Sequence, residues 1–156
     1  MIADGVEKYL EGKCDFLIGI GGGSPLDSVK AIAAMSVLPG KIADYLGTEI
    51  VGKFPPMVLI PTTSGTGSET TKFTIITDST TDVKMLIKGD ALLPQVAIVD
   101  PEFSISAPPS ITAATGMDAL THAVEAYTSR KGNALTAVYA ISAIKRIFEY
   151  LPAAYA

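Results

Sequence analysis

The stretch CDFLIGIGGGSPLDSVKAIAAM, residues Cys14–Met35, indicates how this chain folds. Its first part, Cys14 to Ile20, is a short apolar run of the kind that forms a buried strand in a parallel sheet. Three glycines, Gly21 to Gly23, break that run. Ser24 is then expected to cap a helix whose first residue is Pro25 and which continues to the end of the stretch. A strand, a glycine turn and a helix in this order predict α/β architecture.

The glycine turn has the chemistry of an anion site. Glycines let the backbone approach a ligand closely, and the unpaired N–H groups of a first helical turn favour anions. The turn departs from the dinucleotide fingerprint GxGxxG, because Ser24 occupies the third glycine position and no convincing acid ends a second strand about 20 residues later. From these residues alone, phosphate or nucleotide binding and a purely structural turn both remain open.

A second polar loop follows a second predicted strand. Met57 to Ile60 runs into PTTSGTGSE, residues Pro61–Glu69. Hydroxyls and backbone donors at this density can hold ribose or phosphate oxygens, although polar turns are commonly built in the same way. Beyond the loop, Lys72 to Thr77 and Val83 to Lys88 predict a β-hairpin, and Gln95 to Val99 predicts one more buried strand.

The periodicity changes from strand to helix near Pro108. The run Pro108-Pro109-Ser110 is a helix start signal, and a further helix is predicted from about Asn133 to Leu151. We therefore expect two domains, an α/β part over residues 1–105 and a helical part over residues 106–156.

The first predicted helix of the second part carries ATGMDALTHAVEAY, residues Ala114–Tyr127. It contains Asp118 and the only histidine, His122, whose spacing of four residues places both side chains on one helical face. Such a pair could share a divalent metal ion such as Fe(II), Zn(II) or Mn(II), but a metal site normally takes a third or fourth protein ligand. The alternative is a surface histidine beside a solvated acid, since 16 of 156 residues are acidic.

The composition narrows the possible partners and compartment. A net charge of −4 with scattered basic residues predicts no nucleic-acid partner. The single cysteine, Cys14, rules out an intrachain disulfide and is expected to be buried and inert, which favours a reducing cytoplasm. No apolar run is long enough for a membrane span, and no export signal is recognised. Hydrophobic content of 48% with 18% charged residues predicts surface that more chain, a second domain or a subunit covers.

Three stretches together resemble the iron-dependent (group III) alcohol dehydrogenases. They are GGGSPLDSVKAIA at Gly21–Ala33, PTTSGTGSE at Pro61–Glu69 and ATGMDALTHAVEAY at Ala114–Tyr127. Their order and spacing, together with PQVAIVDP at Pro94–Pro101, agree with the family over essentially the whole chain. The resemblance implies a partial nucleotide-binding domain with a parallel α/β sheet, followed by the start of an all-helical domain, in a dehydroquinate synthase-like architecture.

The resemblance also implies roles for individual residues toward an NAD or NADP cofactor. These residues are Gly22, Gly23 and Ser24 at the pyrophosphate, Asp27 near the nicotinamide end, Thr62, Thr63 and Thr66 along the nucleotide, and Lys84 at a ribose. In the family one Asp and three His hold the catalytic metal. Asp118 and His122 match two of these ligands, which makes them the candidate catalytic and metal-binding residues, with Fe(II) or Zn(II) as the ion.

The implied activity is hydride transfer between nicotinamide and a small primary alcohol, diol or aldehyde. The metal would act as a Lewis acid on the substrate oxygen. Two further histidines of the family lie downstream of the Asp/His helix and are absent here, so we expect an internal fragment that has no turnover alone. The full-length protein is expected to be a homo-oligomer. A non-catalytic truncated subunit and a nucleotide-binding module are the alternatives; a lyase or synthase related to dehydroquinate synthase fits less well.

Overall fold

The computed structural model describes all residues, Met1 to Ala156. The helices and strands, in chain order, are α1 (Ile2–Glu11), β1 (Leu17–Gly21), α2 (Gly23–Met35), β2 (Met57–Pro61), β3 (Phe73–Asp78), β4 (Val83–Lys88), β5 (Val96–Ala97), α3 (Pro109–Thr128) and α4 (Ala134–Tyr155). Four short 3-10 helices lie between them. The chain forms two compact units, Met1–Thr62 with Gly67–Pro101, and Thr63–Thr66 with Glu102–Ala156. The domain assignment from sequence stays a prediction.

The first unit contains a parallel sheet with the strand order β1-β2-β5. Leu17 pairs with Met57, and Val58 pairs with Val96, so side chains of equivalent rows point to the same face. Parallel neighbours need a crossover connection, and α2 is the helix in the connection between β1 and β2. The α/β architecture with a parallel sheet followed by helices is therefore confirmed.

Helix α2 lies very close to the sheet because β1 carries a glycine at the contact. A Cβ atom on Gly19 would come within 2.8 Å of Leu59 Cδ2 and 3.0 Å of Val29 Cγ2. Leu26 of α2 and Leu59 of β2 are fully buried at this contact. The other face of β1 is bare, since Ile18 is 54% exposed. The sheet is thus packed on one side, and the apolar surface expected from the composition is present.

The hairpin predicted between Lys72 and Lys88 is confirmed. Strands β3 and β4 pair antiparallel, with Phe73 opposite Lys88 and Asp78 opposite Val83. The inward side chains of the hairpin join a core that α2 and the following loops complete. That core consists of Ala31, Ala34, Ile50, Ile76, Met85, Ile87 and Leu92.

The second unit is built on the pair of helices α3 and α4, which pack against each other. Gly116 permits this contact, because a Cβ atom there would collide with the side chain of Leu151. Helix α4 has a reciprocal cap: Thr136 N donates to Asn133 Oδ1 over 3.0 Å, and Asn133 N donates to Thr136 Oγ1 over 2.8 Å. The predicted start near Asn133 is confirmed, and the helix continues past the predicted end at Leu151.

The predicted start of α2 is wrong by two residues. The helix begins at Gly23 with Gly22 as its N-cap, and Ser24 makes no capping hydrogen bond. Gly21 adopts φ +151°, a backbone conformation that favours glycine, so the chain turns into the helix before Ser24. Pro25 is consequently the third helical residue, where no intrahelical N–H donor is required.

Three smaller predictions in the first unit are also wrong. Strand β1 begins at Leu17, three residues later than expected. Cys14 is exposed, because it lies in the turn after α1, where its N–H donates to Tyr9 O. Strand β5 is short and exposed, because it is an edge strand whose only neighbour is β2.

Candidate cofactor and metal site

The glycine turn forms the first part of the candidate cofactor site. Gly22 to Ser24 supply the first backbone N–H groups of the 13-residue helix α2. A Cβ atom on Gly21 would come within 2.7 Å of Pro25 Cγ, so the turn excludes a side chain there. Free N–H groups at a helix start and the positive end of the helix dipole both favour an anion. The backbone therefore offers what a pyrophosphate needs.

The second candidate loop begins directly beside this turn. Thr62 N donates a hydrogen bond of 2.9 Å to Gly21 O, continuing the pairing of β1 with β2 by one residue. The structure thus brings Thr62 next to the pyrophosphate candidates, as two parallel strands that end at the same edge of a sheet require.

The tip of this loop, Thr63 to Thr66, belongs to the second unit. Within that unit Gly65 lies against the backbone of α3, because a Cβ atom there would collide with Thr115 O. Thr115 precedes Asp118 by one helical turn on the same helix. Within the second unit, residues 63–66 therefore lie against the helix that carries Asp118 and His122.

Asp27 is buried and holds the hairpin. Its Oδ2 accepts from Ile75 N over 2.9 Å, and its backbone oxygen accepts from Thr74 Oγ1 over 2.7 Å. Burial raises the pKa of the Asp27 carboxyl, against the opposing effects of the Ile75 hydrogen bond, the Lys30 charge and a hydrogen bond with Ser68. The position of Asp27 near a nicotinamide stays a prediction.

Lys30, which sequence reasoning missed, is the largest fully buried side chain. Its Nζ donates to Thr71 O over 2.7 Å, to Thr71 Oγ1 over 3.0 Å and to Phe73 O over 2.8 Å. Burial lowers the pKa of Lys30 to about 8, and the charges of Asp27 and Glu69 oppose that shift. The signal in the sequence was its spacing on α2, one turn after Leu26 and one turn before Ala34, on the buried face.

Lys84 lies on the exposed side of β4, paired with Thr77 of β3. The structure does not bring it into contact with the glycine turn by any described hydrogen bond. Its role at a ribose therefore rests on the family resemblance and stays a prediction.

Asp118 and His122 lie together on α3. His122 Nε2 and Asp118 Oδ2 are 3.7 Å apart, and the two side chains are 61% and 47% exposed. The helix fixes this pairing locally, because residues four apart stack on one face. The atoms are too far apart for a good hydrogen bond, so neither side chain is committed to the other.

This donor set fits part of a metal site. A carboxylate oxygen and an imidazole nitrogen are donors that Fe(II) and Zn(II) accept. The described residues contain no group of three or more side chains that could hold a metal. Asp118 and His122 therefore provide two ligands, and further donors must complete the shell.

The fold defines a class: a parallel α/β sheet followed by helices, in the dehydroquinate synthase-like architecture. Residues 1–101 match the profile of the iron-containing alcohol dehydrogenases, and residues 112–156 match the C-terminal profile of the same family. The chain belongs to the iron-containing alcohol dehydrogenase family.

Several relatives are similar over nearly the whole chain. The NAD-dependent methanol dehydrogenase of Bacillus methanolicus is 47% identical over 156 residues, which cover 99% of this chain and 41% of the relative. The 1,3-propanediol dehydrogenase of Citrobacter freundii is 43% identical over 94% of this chain and 38% of its own length. This chain thus spans about two fifths of the length of these curated relatives.

Solved structures of similar proteins share the fold of this chain. A 1,3-propanediol oxidoreductase superimposes with a TM-score of 0.95 at 41% identity, over 99% of this chain and 41% of the other. A sulfoacetaldehyde reductase from Bifidobacterium kashiwanohense in complex with NAD+ gives a TM-score of 0.94 at 40% identity, over 99% and 42%. In this chain no helix combines the length and the apolar character needed to cross a membrane.

Proposed function

We propose that this chain is part of an iron-dependent, NAD- or NADP-linked alcohol dehydrogenase that acts on a small primary alcohol, diol or aldehyde. The observation that carries the proposal is the pairing of Asp118 and His122 at 3.7 Å on α3, within the part that matches the family's C-terminal profile. The names of the relatives, a methanol dehydrogenase and a 1,3-propanediol dehydrogenase, favour small alcohols as substrates.

Each part of the candidate site has a task in this reaction. The N–H groups of Gly22 to Ser24 bind the pyrophosphate, and hydroxyl groups of the Pro61–Glu69 loop bind the nucleotide. Asp118 and His122 would hold the metal. The bound iron or zinc supplies Lewis acidity toward the alcohol oxygen. Hydride transfer then requires that the carbinol carbon and the nicotinamide ring be held in reach and that water be excluded.

We expect these 156 residues to be inactive on their own. Two metal ligands bind weakly compared with the three or four of a catalytic site, so the chain by itself would have no turnover. The complete protein is proposed to be a cytoplasmic homo-oligomer with neither a nucleic-acid nor a membrane partner.

The metal proposal can be tested on the single imidazole of the chain. Because His122 is the only histidine, its ring nitrogens give one set of NMR signals. Adding Zn(II) is expected to shift the Nε2 signal with a weak, saturable isotherm, because Asp118 Oδ2 and His122 Nε2 coordinate the same ion. Asp118→Asn is expected to weaken the apparent affinity about tenfold, since a charged oxygen ligand is replaced by a neutral amide.

Glu125 supplies the matched control, because it is an acid on the same helix three residues beyond His122. Glu125→Gln should leave the Zn(II) isotherm unchanged. Equal weakening by Asp118→Asn and Glu125→Gln would show that zinc responds only to general negative charge, and the site would then be rejected.

A further inference from the structure

Lys30 makes an arrangement that fits a charged amine. Its Nζ faces three acceptors, Thr71 O, Thr71 Oγ1 and Phe73 O, all within 3.0 Å. An ammonium group donates to all three and leaves the Thr71 hydroxyl proton for Ser68 O, whereas a neutral amine donates to the two carbonyls and takes the hydroxyl proton of Thr71 on its lone pair, away from Ser68 O. The contacts therefore depend on the proton.

These contacts fix the exit of the Pro61–Glu69 loop. Thr71 Oγ1 in turn lies 3.4 Å from Ser68 O, at the end of the loop. The start of the loop is fixed separately, by the hydrogen bond from Thr62 N to Gly21 O. Both ends are thus attached to the β1–α2 segment, the first at its glycine turn and the second two helical turns into α2.

We propose that Lys30 is a positioning residue for the dinucleotide: its ammonium group holds the exit of the Pro61–Glu69 loop on the helix whose first turn carries Gly22 to Ser24. The inference rests on the proposed function of these two loops as a nucleotide site. A loop that is held in its binding conformation does not lose conformational entropy when the ligand arrives, so the attachment raises affinity without touching the ligand.

The charges around Lys30 support this role. Asp27 on α2 and Glu69 in the loop are the charged groups that act on it. Glu69 Oε2 is buried and accepts no hydrogen bond. Both carboxylates favour the ammonium form, while burial opposes it and lowers the pKa of Lys30 to about 8. The ammonium form therefore predominates at pH 7 and the neutral amine at pH 9.5.

The test compares Lys30→Met with Lys72→Met by calorimetric titration of NAD into the protein. Methionine keeps the length of the side chain and removes the ammonium. Lys72 is the matched control, because it lies in the same segment between Thr71 and Phe73 but is exposed and paired with Asp90. We expect Lys30→Met to weaken NAD binding at least tenfold at pH 7 and Lys72→Met to change it less than twofold. Between pH 7 and 9.5 the affinity of the unmodified protein should fall, while that of Lys30→Met should stay flat.

Hydrogen exchange of the unmodified protein keeps the test valid if Lys30→Met does not fold. After correction for intrinsic rates, protection of residues 67–73 should drop at least tenfold from pH 7 to 9.5, while protection of β1 stays constant. Unchanged protection, or NAD affinity that is equal in both variants and independent of pH, would overturn the role of Lys30 alone. An unmodified protein that binds no NAD at either pH would overturn the proposed nucleotide site and this role with it.

Discussion

Asp118→Ala is expected to lower kcat/KM for alcohol oxidation at least a thousandfold in the protein as its source cells make it. In the proposed function the carboxylate is one of two metal ligands that α3 supplies, so its removal is expected to weaken metal binding strongly. Loss of the Lewis acid removes several kcal/mol of transition-state stabilisation, and about 4 kcal/mol corresponds to a thousandfold in rate. Steady-state kinetics with NAD and 1,3-propanediol measures kcat/KM, and the iron content is determined in the same samples.

The pattern among variants separates loss of the metal from other causes. His122→Ala should be as inactive as Asp118→Ala, and the double variant should lose little more, because residues that act as a unit are not additive. Glu125→Gln should keep its activity. If Asp118→Ala retained more than a tenth of the activity with its full iron content, Asp118 would not be a ligand.

Leu59→Ala is expected to lower the free energy of unfolding by about 3 kcal/mol. Leu59 of β2 is fully buried between the sheet and α2, so the truncation leaves a cavity beside Gly19. Ile18 of β1 is the matched control on the opposite face. Because its side chain is already 54% exposed, Ile18→Ala should lower the same quantity by less than about 1 kcal/mol. Urea unfolding followed by circular dichroism measures both.

This pair tests whether the sheet is packed on one side only. Equal losses for Leu59→Ala and Ile18→Ala would mean that the face carrying Ile18 is covered as well as the face under α2. The difference between the variants is more informative than either absolute value, because the burial of the unfolded chain largely cancels.

Local patterns predicted most of the fold. Alternation and turn residues located the hairpin β3–β4, and helical spacing located α3 and α4 with Asn133 as the cap. The same local rule predicted that Asp118 and His122 meet, since a helix alone fixes that pairing. Errors occurred where conformation depends on one unusual backbone angle, as at Gly21, or on position within the sheet, as at β5.

Lys30 shows why the remainder of the site could not be predicted from the sequence. A lysine on a helix normally extends into solvent, and nothing local distinguishes this one strongly. Its three acceptors lie 41 and 43 positions further along the chain, so only the folded arrangement shows that the amine is enclosed. For Lys84, Asp27 and the threonines, the cofactor contacts come from the family resemblance and remain predictions.

The most direct test of the central claim is an anaerobic assay of the protein purified from its source cells, beside the 156-residue chain produced alone. Each receives Fe(II), NAD or NADP, and 1,3-propanediol, and reduced nicotinamide is followed by absorbance. The account predicts turnover by the source-cell protein that stops when a chelator removes the metal and returns with Fe(II), and none by the 156-residue chain. Robust turnover by that chain, or a source-cell protein that binds nucleotide but oxidises no alcohol with iron present, would contradict it.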